Sequence, residues 1–235
     1  LAAAPSLSPC VARSLICVIV GAVPPVDDAR PLESGMQPAF YPATAMPDAD
    51  WWEALWPRPE EVIAALKPRH GGEAVDLCCG DGLFTVPLAR VARRVVAIDL
   101  DPAMLERARA RLARAGVTNC ELVEGDAYAV AEIVKQPADF VLMANTFHGV
   151  PEKGRLSGVI AAVLKPGGRF AVVNWHRRPR EETAVLGQPR GPKTELRMEP
   201  ADVAAALEAA GLELTGIVEL PPYHYGAIFE KAAAS

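Results

Sequence analysis

The sequence predicts an α/β fold, a sheet with helices packed on it, and three observations carry that expectation. From Asp48 onward, short apolar runs alternate with amphipathic segments, and no internal repeat is detectable. The run Ala74-Val75-Asp76-Leu77 passes through Cys78-Cys79-Gly80-Asp81-Gly82 into a helix-forming stretch, the build of a strand, a glycine turn and a helix. A second buried run, Arg94 to Asp99, ends on a carboxylate nineteen positions after Gly80.

The elements follow in order. A helix is expected over Ala49 to Leu66, broken in two by the prolines at 57 and 59. After the first strand, Leu83 to Val91 reads as a helix despite Pro87, and 94–99 as the second strand. Asp101-Pro102 starts the next helix as cap and first-turn proline, and Gly116 ends it. Cys120 to Val123 is a short third strand, Ala127 to Lys135 a helix, and Asp139 to Ala144 a fourth strand. Pro151 to Leu164 is a helix that Lys165-Pro166-Gly167-Gly168 stops before a strand over Arg169 to Asn174. Residues 177–198 are polar and turn-rich, Pro200 to Ala210 is a helix, and strands at 213–220 and 223–229 form a closing hairpin around Pro221-Pro222.

The glycine turn defines a cofactor site, and Asp76 narrows which cofactor it suits. Gly80 and Gly82 let the backbone turn sharply and approach a ligand, and the helix beyond aims its free N–H groups into the turn. In a dinucleotide fingerprint the pyrophosphate lies on that helix end. Here Asp76 stands beside the turn, where a carboxylate repels a pyrophosphate but accepts from an ammonium, and the pattern continues as Gly80-x-Gly82-x-x-Thr85. Asp99 is placed to accept two ribose hydroxyls; a helix-cap role is the alternative, although Asp101 already occupies the cap.

This acid and its alternating glycines resemble the first motif of the class I S-adenosylmethionine (SAM) methyltransferases, and the resemblance extends from about Trp51 to Phe229. Where the usual pattern has its first glycine, this chain has Cys78, like the Cys-Cys-Gly form of quinone-biosynthesis methyltransferases and many small-molecule relatives; the thiol narrows the space beside the methionine part of the cofactor. The resemblance implies a doubly wound, Rossmann-like, mostly parallel seven-stranded sheet of order 3-2-1-4-5-7-6, with only the last strand reversed. It also implies that Gly125-Asp126-Ala127 reads the adenine, the aspartate accepting from the exocyclic amine and the Ala127 N–H donating to the ring. Asp126 as a simple helix cap is the competing reading. Leu100 and Met104 would flank the ring, and both equally fit an ordinary core.

Asn145-Thr146-Phe147-His148 follows the fourth strand, at the carboxyl edge where open α/β sheets hold their ligands. Nucleic-acid amino-methyltransferases of similar fold carry Asn/Asp-Pro-Pro-aromatic here. This chain keeps the Asn and an aromatic but neither proline, which argues against an adenine or glutamine amide as acceptor. His148 is the catalytic candidate, a base for a hydroxyl or thiol, with simple hydrogen bonding as the equal alternative; His176 ranks below it. Tyr41, Trp51, Trp52 and Trp56, with Tyr223, His224 and Tyr225, would surround the acceptor, although the tryptophans fit equally an anchor for the leading helix. The basic segment Arg190 to Arg197 lies where relatives insert a lid; it could receive an anionic acceptor or be a solvated loop.

Composition bounds the rest. The 235 residues suffice for one well-buried domain, and a net charge of -5 with arginines dispersed among acids gives no electrostatic reason to bind nucleic acid. The arginines of 102–115 read as a solvated helix face. Five cysteines without paired metal-ligand spacing read as reduced thiols of a cytoplasmic protein with no metal, and none follows Cys120, unlike in arsenic methyltransferases. Residues 15–23 form an apolar run of signal-peptide length, preceded by Arg13 as the only positive charge and too short to span a bilayer, so no membrane role is expected. Residues 1–45 read as a poorly ordered or non-native extension ahead of a 46–235 domain, with Met36 or Met46 as the natural beginning. The expected function is SAM-dependent methyl transfer to a small molecule. The rivals are an NAD-dependent oxidoreductase, which shares the turn and Asp99, and a SAM-binding sensor or assembly subunit that no longer methylates.

Overall fold

The computed structural model describes Tyr41 and residues 44–233; the apolar run at 15–23 and Met36 lie outside the described residues. Two short helices lead, α1 (Ala49–Leu55) and α2 (Pro59–Leu66), with Pro59 in the first turn of the second as its fixed φ allows. Then come β1 (Glu73–Leu77), α3 (Thr85–Val91), β2 (Arg94–Asp99), α4 (Pro102–Arg114) and β3 (Cys120–Glu124). α3 tolerates Pro87 because it sits in the first turn, where backbone N–H groups have no partner within the helix. Asp101 caps α4 by accepting from Ala103 N–H at 2.8 Å.

After β3 the chain makes a 3-10 turn at Ala127–Ala129 and a single-turn α5 (Val130–Ile133), shorter than the helix expected to Lys135. β4 (Ala138–Ala144), a second 3-10 turn at Phe147–Gly149, α6 (Lys153–Val163) and β5 (Leu164–Trp175) follow. A small hairpin, β6 (Ala184–Val185) with β7 (Gln188–Pro189), precedes α7 (Pro200–Glu208), β8 (Leu212–Leu220) and β9 (His224–Lys231). The expected turn at 165–168 lies inside β5. Its register moves from Ala138↔Leu164 to Phe140↔Arg169, so residues 165–168 stand opposite Asp139 alone and bulge out.

The main sheet has the order β3-β2-β1-β4-β5-β9-β8, parallel but for β9, which is antiparallel to both neighbours. That is the expected order, with β8 and β9 as sixth and seventh strands. Alternate residues feed two cores: Val75, Val141, Met143 and Val172 face α5, α6 and α7, whereas Ala74, Leu142, Ala171 and Val173 face the Trp51, Trp52 and Trp56 cluster and α3. Both faces are therefore covered, and the carboxyl ends of β1, β2, β4 and β5 are left to build a site.

Candidate functional site

A single cavity of about 1110 Å³ lies along those carboxyl ends. Its floor is the glycine turn. Cys78 (φ 61), Gly80 (φ 54) and Gly82 (φ 81) all have left-handed backbones. At Gly82 the strain is joined by crowding: a Cβ there would lie 3.1 Å from the Cβ of Ala108, so α4 packs directly on the turn. Arg111, also on α4, donates to the carbonyl of Asp81 and forms an ion pair with its carboxylate. This corrects the reading of Arg111 as part of a solvated face.

Asp99 is tied to the same turn. Its Oδ2 accepts from Gly80 N–H at 2.7 Å and its Oδ1 from Asp101 N–H at 3.0 Å. A carboxylate offers about four acceptor sites, so both oxygens retain capacity for two more donors. Burial raises the Asp99 pKa; backbone N–H groups of Asp101, Gly80 and Leu100 oppose that, and the charge of Asp101 adds to it. Asp76 is 2% exposed. Burial pushes its carboxyl up to about 7; a hydrogen bond from Thr85 Oγ1 at 2.6 Å lowers it and the charge of Asp99 raises it. Such a carboxyl is poised to gain from an arriving cation. Burial likewise holds the Cys78 thiol well above its usual range, with Asp99 and Asp76 adding to it.

Leu100, Met104, Asp126 and Ala127 line the end of the cavity nearest β2 and β3. Asp126 also caps the 3-10 turn, accepting from Tyr128 N–H at 2.9 Å, and the Tyr41 hydroxyl donates to the same oxygen at 3.3 Å. Tyr41, Thr44 and Ala45, read from the sequence as part of the leading extension, thus line this cavity together with Met46.

At the end of β4, Asn145 adopts φ 59, a conformation asparagine tolerates better than most residues. Its N–H is fixed to the Val173 carbonyl at 2.8 Å. Its side-chain oxygen and nitrogen are buried in the cavity wall with no hydrogen-bond partner among the described residues. His148, 6% exposed, lines the cavity three residues on, and its carbonyl accepts from Lys153 Nζ at 3.3 Å.

The aromatic expectations divide. Trp51 lines the cavity; Trp56, His176, Tyr223 and Tyr225 do not. Trp56 is core, edge-on to Phe84 and 4.5 Å from the His224 ring. His176 turns outward to Glu219 at 3.0 Å. Tyr223 stacks on Trp175 and donates to the Ala184 carbonyl at 2.8 Å, which pins the small hairpin. Tyr225 is fully buried and donates to the Met198 carbonyl at 2.8 Å. Tyr223 and Tyr225 fasten the lid to the sheet through the carbonyls of Ala184 and Met198, while Trp56 belongs to the core and His176 to the β8 edge.

The lid, residues 177–198, is a built structure. Arg197 is 1% exposed and donates to the carbonyls of Pro192, Arg178 and Arg190 and to Thr183 Oγ1, so it is neither a solvated residue nor a ligand for the acceptor. Gly191 (φ 85) presses on Trp175, where a Cβ would come within 2.8 Å of the indole ring. Trp175 and Arg180 line the cavity and were missed in the sequence; the position of Trp175 at the carboxyl end of the fifth strand was the available signal. Among the described residues, no group of three His, Cys, Asp or Glu side chains could hold a metal ion.

This sheet order, with an acid–glycine turn under a deep cavity, defines a class I methyltransferase fold. Residues 74–168 match the family described as "Methyltransferase domain". The chain is 30% identical over 189 residues to a ubiquinone biosynthesis O-methyltransferase of Xanthomonas axonopodis pv. citri, covering 71% of this chain and 77% of that protein. It is 31% identical over 190 residues to the protein of the same name from Xylella fastidiosa strain 9a5c, covering 71% and 75%. Its fold is similar to that of a SAM-dependent methyltransferase from Aquifex aeolicus, with a TM-score of 0.64 at 24% identity, over 78% of this chain and 93% of that one. The chain belongs to the class I SAM-dependent methyltransferase family. It is a methyltransferase with S-adenosyl-L-methionine as cofactor, and the matches give no support to an NAD-dependent oxidoreductase or a non-methylating sensor. No helix among the described residues is long and apolar enough to cross a membrane.

Proposed function

We propose that the protein transfers a methyl group to a hydroxyl of a small molecule, acts in the cytoplasm, and has neither a nucleic acid nor a membrane as partner. The observation that supports this most is that Asp76, Asp99, Asn145 and His148 line one cavity. The O-methyltransferase names of the relatives favour oxygen as the acceptor atom. Among the described residues Cys78, Cys79 and Cys120 form no disulfide, which suits that compartment. The catalytic domain on this reading is residues 46–235, extended at its start by Tyr41, Thr44 and Ala45.

The residues fit the cofactor. Asp76, buried with a raised pKa, accepts from its ammonium, and Asn145, whose buried amide lacks a partner among the described residues, gains one from its methionine part. The left-handed backbones at Gly80 and Gly82 let that part lie close against the main chain, with the Cys78 thiol narrowing the space beside it. Asp99 accepts the two ribose hydroxyls, Asp126 and the Ala127 N–H read the adenine edge, and Leu100 and Met104 cover its faces. When bound, S-adenosyl-L-methionine supplies a methyl group on a positively charged sulfur, already a strong electrophile. The chain's own work is then to orient the acceptor and exclude water, which Trp51 and the lid do, and to take the hydroxyl proton on His148.

Calorimetric titration with SAM, S-adenosylhomocysteine and NAD tests the reading. Micromolar binding of the two adenosyl compounds, lost in Asp99→Ala, supports it; unchanged binding in the variant removes Asp99 from the site.

A further inference from the structure

Two guanidinium groups enter the cavity from the lid. Arg180 and Arg190 both line it, and neither makes an ion pair among the described residues. The lid itself fixes their backbones. Arg180 Nε donates to the Gly191 carbonyl at 3.0 Å and Arg180 N–H to Thr194 Oγ1 at 3.0 Å. The Arg190 carbonyl accepts from buried Arg197 at 3.2 Å, and Arg190 N–H donates to the Thr183 carbonyl at 2.9 Å.

The Arg190 guanidinium lies over the Trp51 ring, 5.2 Å from its centre, and its Nε is buried without a hydrogen-bond partner among the described residues. A buried donor left unsatisfied is costly. The hub beneath adds a third positive charge: Arg197 holds only carbonyls and a hydroxyl, with its guanidinium 5.0 Å from the Trp175 ring centre. Acids are near but do not neutralise the pair. Glu181 is exposed and acts on Arg197, Asp48 lines the cavity from the opposite rim and is exposed, and Asp81 is taken by Arg111. The cavity is thus lined by Asp76 and Asp99 at the glycine turn and, from the lid, by two arginines without ion pairs among the described residues, Arg190 lying over Trp51.

We propose that the acceptor is a planar oxyanion, a carboxylate or phosphate monoester that also carries the hydroxyl to be methylated, and that Arg180 and Arg190 grip its anionic group against Trp51 and Trp175. This rests on the reading of the cavity given above and adds the substrate class. The forked donors of arginine match both anions, and tryptophan faces take the planar body. Arg190 is a specificity residue: it selects which hydroxyl compounds stay beside His148.

The test uses the full chain loaded with S-adenosylhomocysteine and titrated in a calorimeter with catechol, 3,4-dihydroxybenzoate and 2-hydroxyphenyl phosphate. The expected result is that at least one anion binds ten-fold or more tightly than catechol, on the order of one charge-assisted contact. Which anion it is distinguishes carboxylate from phosphate. In Arg190→Gln and Arg180→Gln that preference collapses toward parity, and Arg190→Lys restores part of it. Catechol binding as tightly as both anions, failure of both anions to bind, or a preference that survives both glutamine variants overturns the proposal. S-adenosylhomocysteine affinity, read first in each variant, reports folding and the cofactor site. Its loss in the parent protein overturns the cavity assignment instead.

Discussion

The hydroxyl of Thr85 donates to the buried carboxyl of Asp76 at 2.6 Å, across the turn that separates β1 from α3. It is the one interaction holding that carboxyl down against burial and against the charge of Asp99. The pair sets the pH at which the site is ready for a cation.

On the proposed role of Asp76, SAM affinity is expected to depend on pH. With Asp76 pushed up to about 7, affinity is full above that value and falls roughly ten-fold per unit below it, as the carboxylate that receives the ammonium becomes protonated. Thr85→Val removes the stabilising donor and moves the midpoint upward. Asp76→Asn weakens binding and flattens the profile; titrations from pH 5.5 to 8.5 would expose a wild-type curve that is already flat.

His148→Ala is expected to lower kcat about 100-fold or more, within the usual range for loss of a general base, with SAM affinity changed less than three-fold. Parallel losses in kcat and cofactor binding, measured by steady-state kinetics and calorimetry, would return the residue to a purely structural role.

Stability carries two opposing proton linkages. His224 is 1% exposed, between Trp56 and Trp175, and neither ring nitrogen has a partner among the described residues. Burial, with help from Arg197, His176 and His148, holds its pKa well below the usual value. The unfolded chain binds a proton there below about 6.5, so the stability this histidine contributes is lost as pH falls. Asp76 runs the other way. Its penalty appears as pH rises above about 4, where the unfolded carboxyl ionises, and is complete above about 7. His224→Phe should gain on wild type as pH falls from 7 to 5, whereas the advantage of Asp76→Asn should shrink over the same range. Denaturant melts at three pH values check both signs.

Gly191→Ala is expected to destabilise by about 2 kcal/mol or more, since it combines a left-handed backbone with a Cβ driven into the rigid Trp175 ring. Loosening of the lid should raise the acceptor KM more than that of SAM.

Much of this was legible in the residues. Apolar runs at 74–77, 94–99 and 139–144 gave buried strands, Asp101-Pro102 gave a capped helix, and Asp99 fell beside the glycine turn because parallel neighbours end at the same edge. What failed was direction. Nothing in the local sequence of Tyr223 and Tyr225 distinguishes a side chain facing a ligand from one fastening a lid, since both need an apolar body with a polar tip, and nothing in that of Trp56 distinguishes a pocket wall from core. Arg197, read as either a receiver of an anionic acceptor or part of a solvated loop, is neither, because its partners are carbonyls, which every sequence has and no sequence displays. The turn at 165–168 was real, but the ladder resumes across it, so it interrupts β5 without ending it.

The order of the sheet also has a meaning for synthesis. β9 is made after β8, yet it lies inside the sheet, between β5 and β8. While the chain emerges from the ribosome, the acid–glycine floor and its carboxylates are complete long before β5 gains its second neighbour. Until β9 is made, β5 presents an open edge, and the lid, fastened through Tyr223 and Tyr225, has nothing to close against. The residues of the cofactor floor are thus made ahead of the strand that completes the chamber above it.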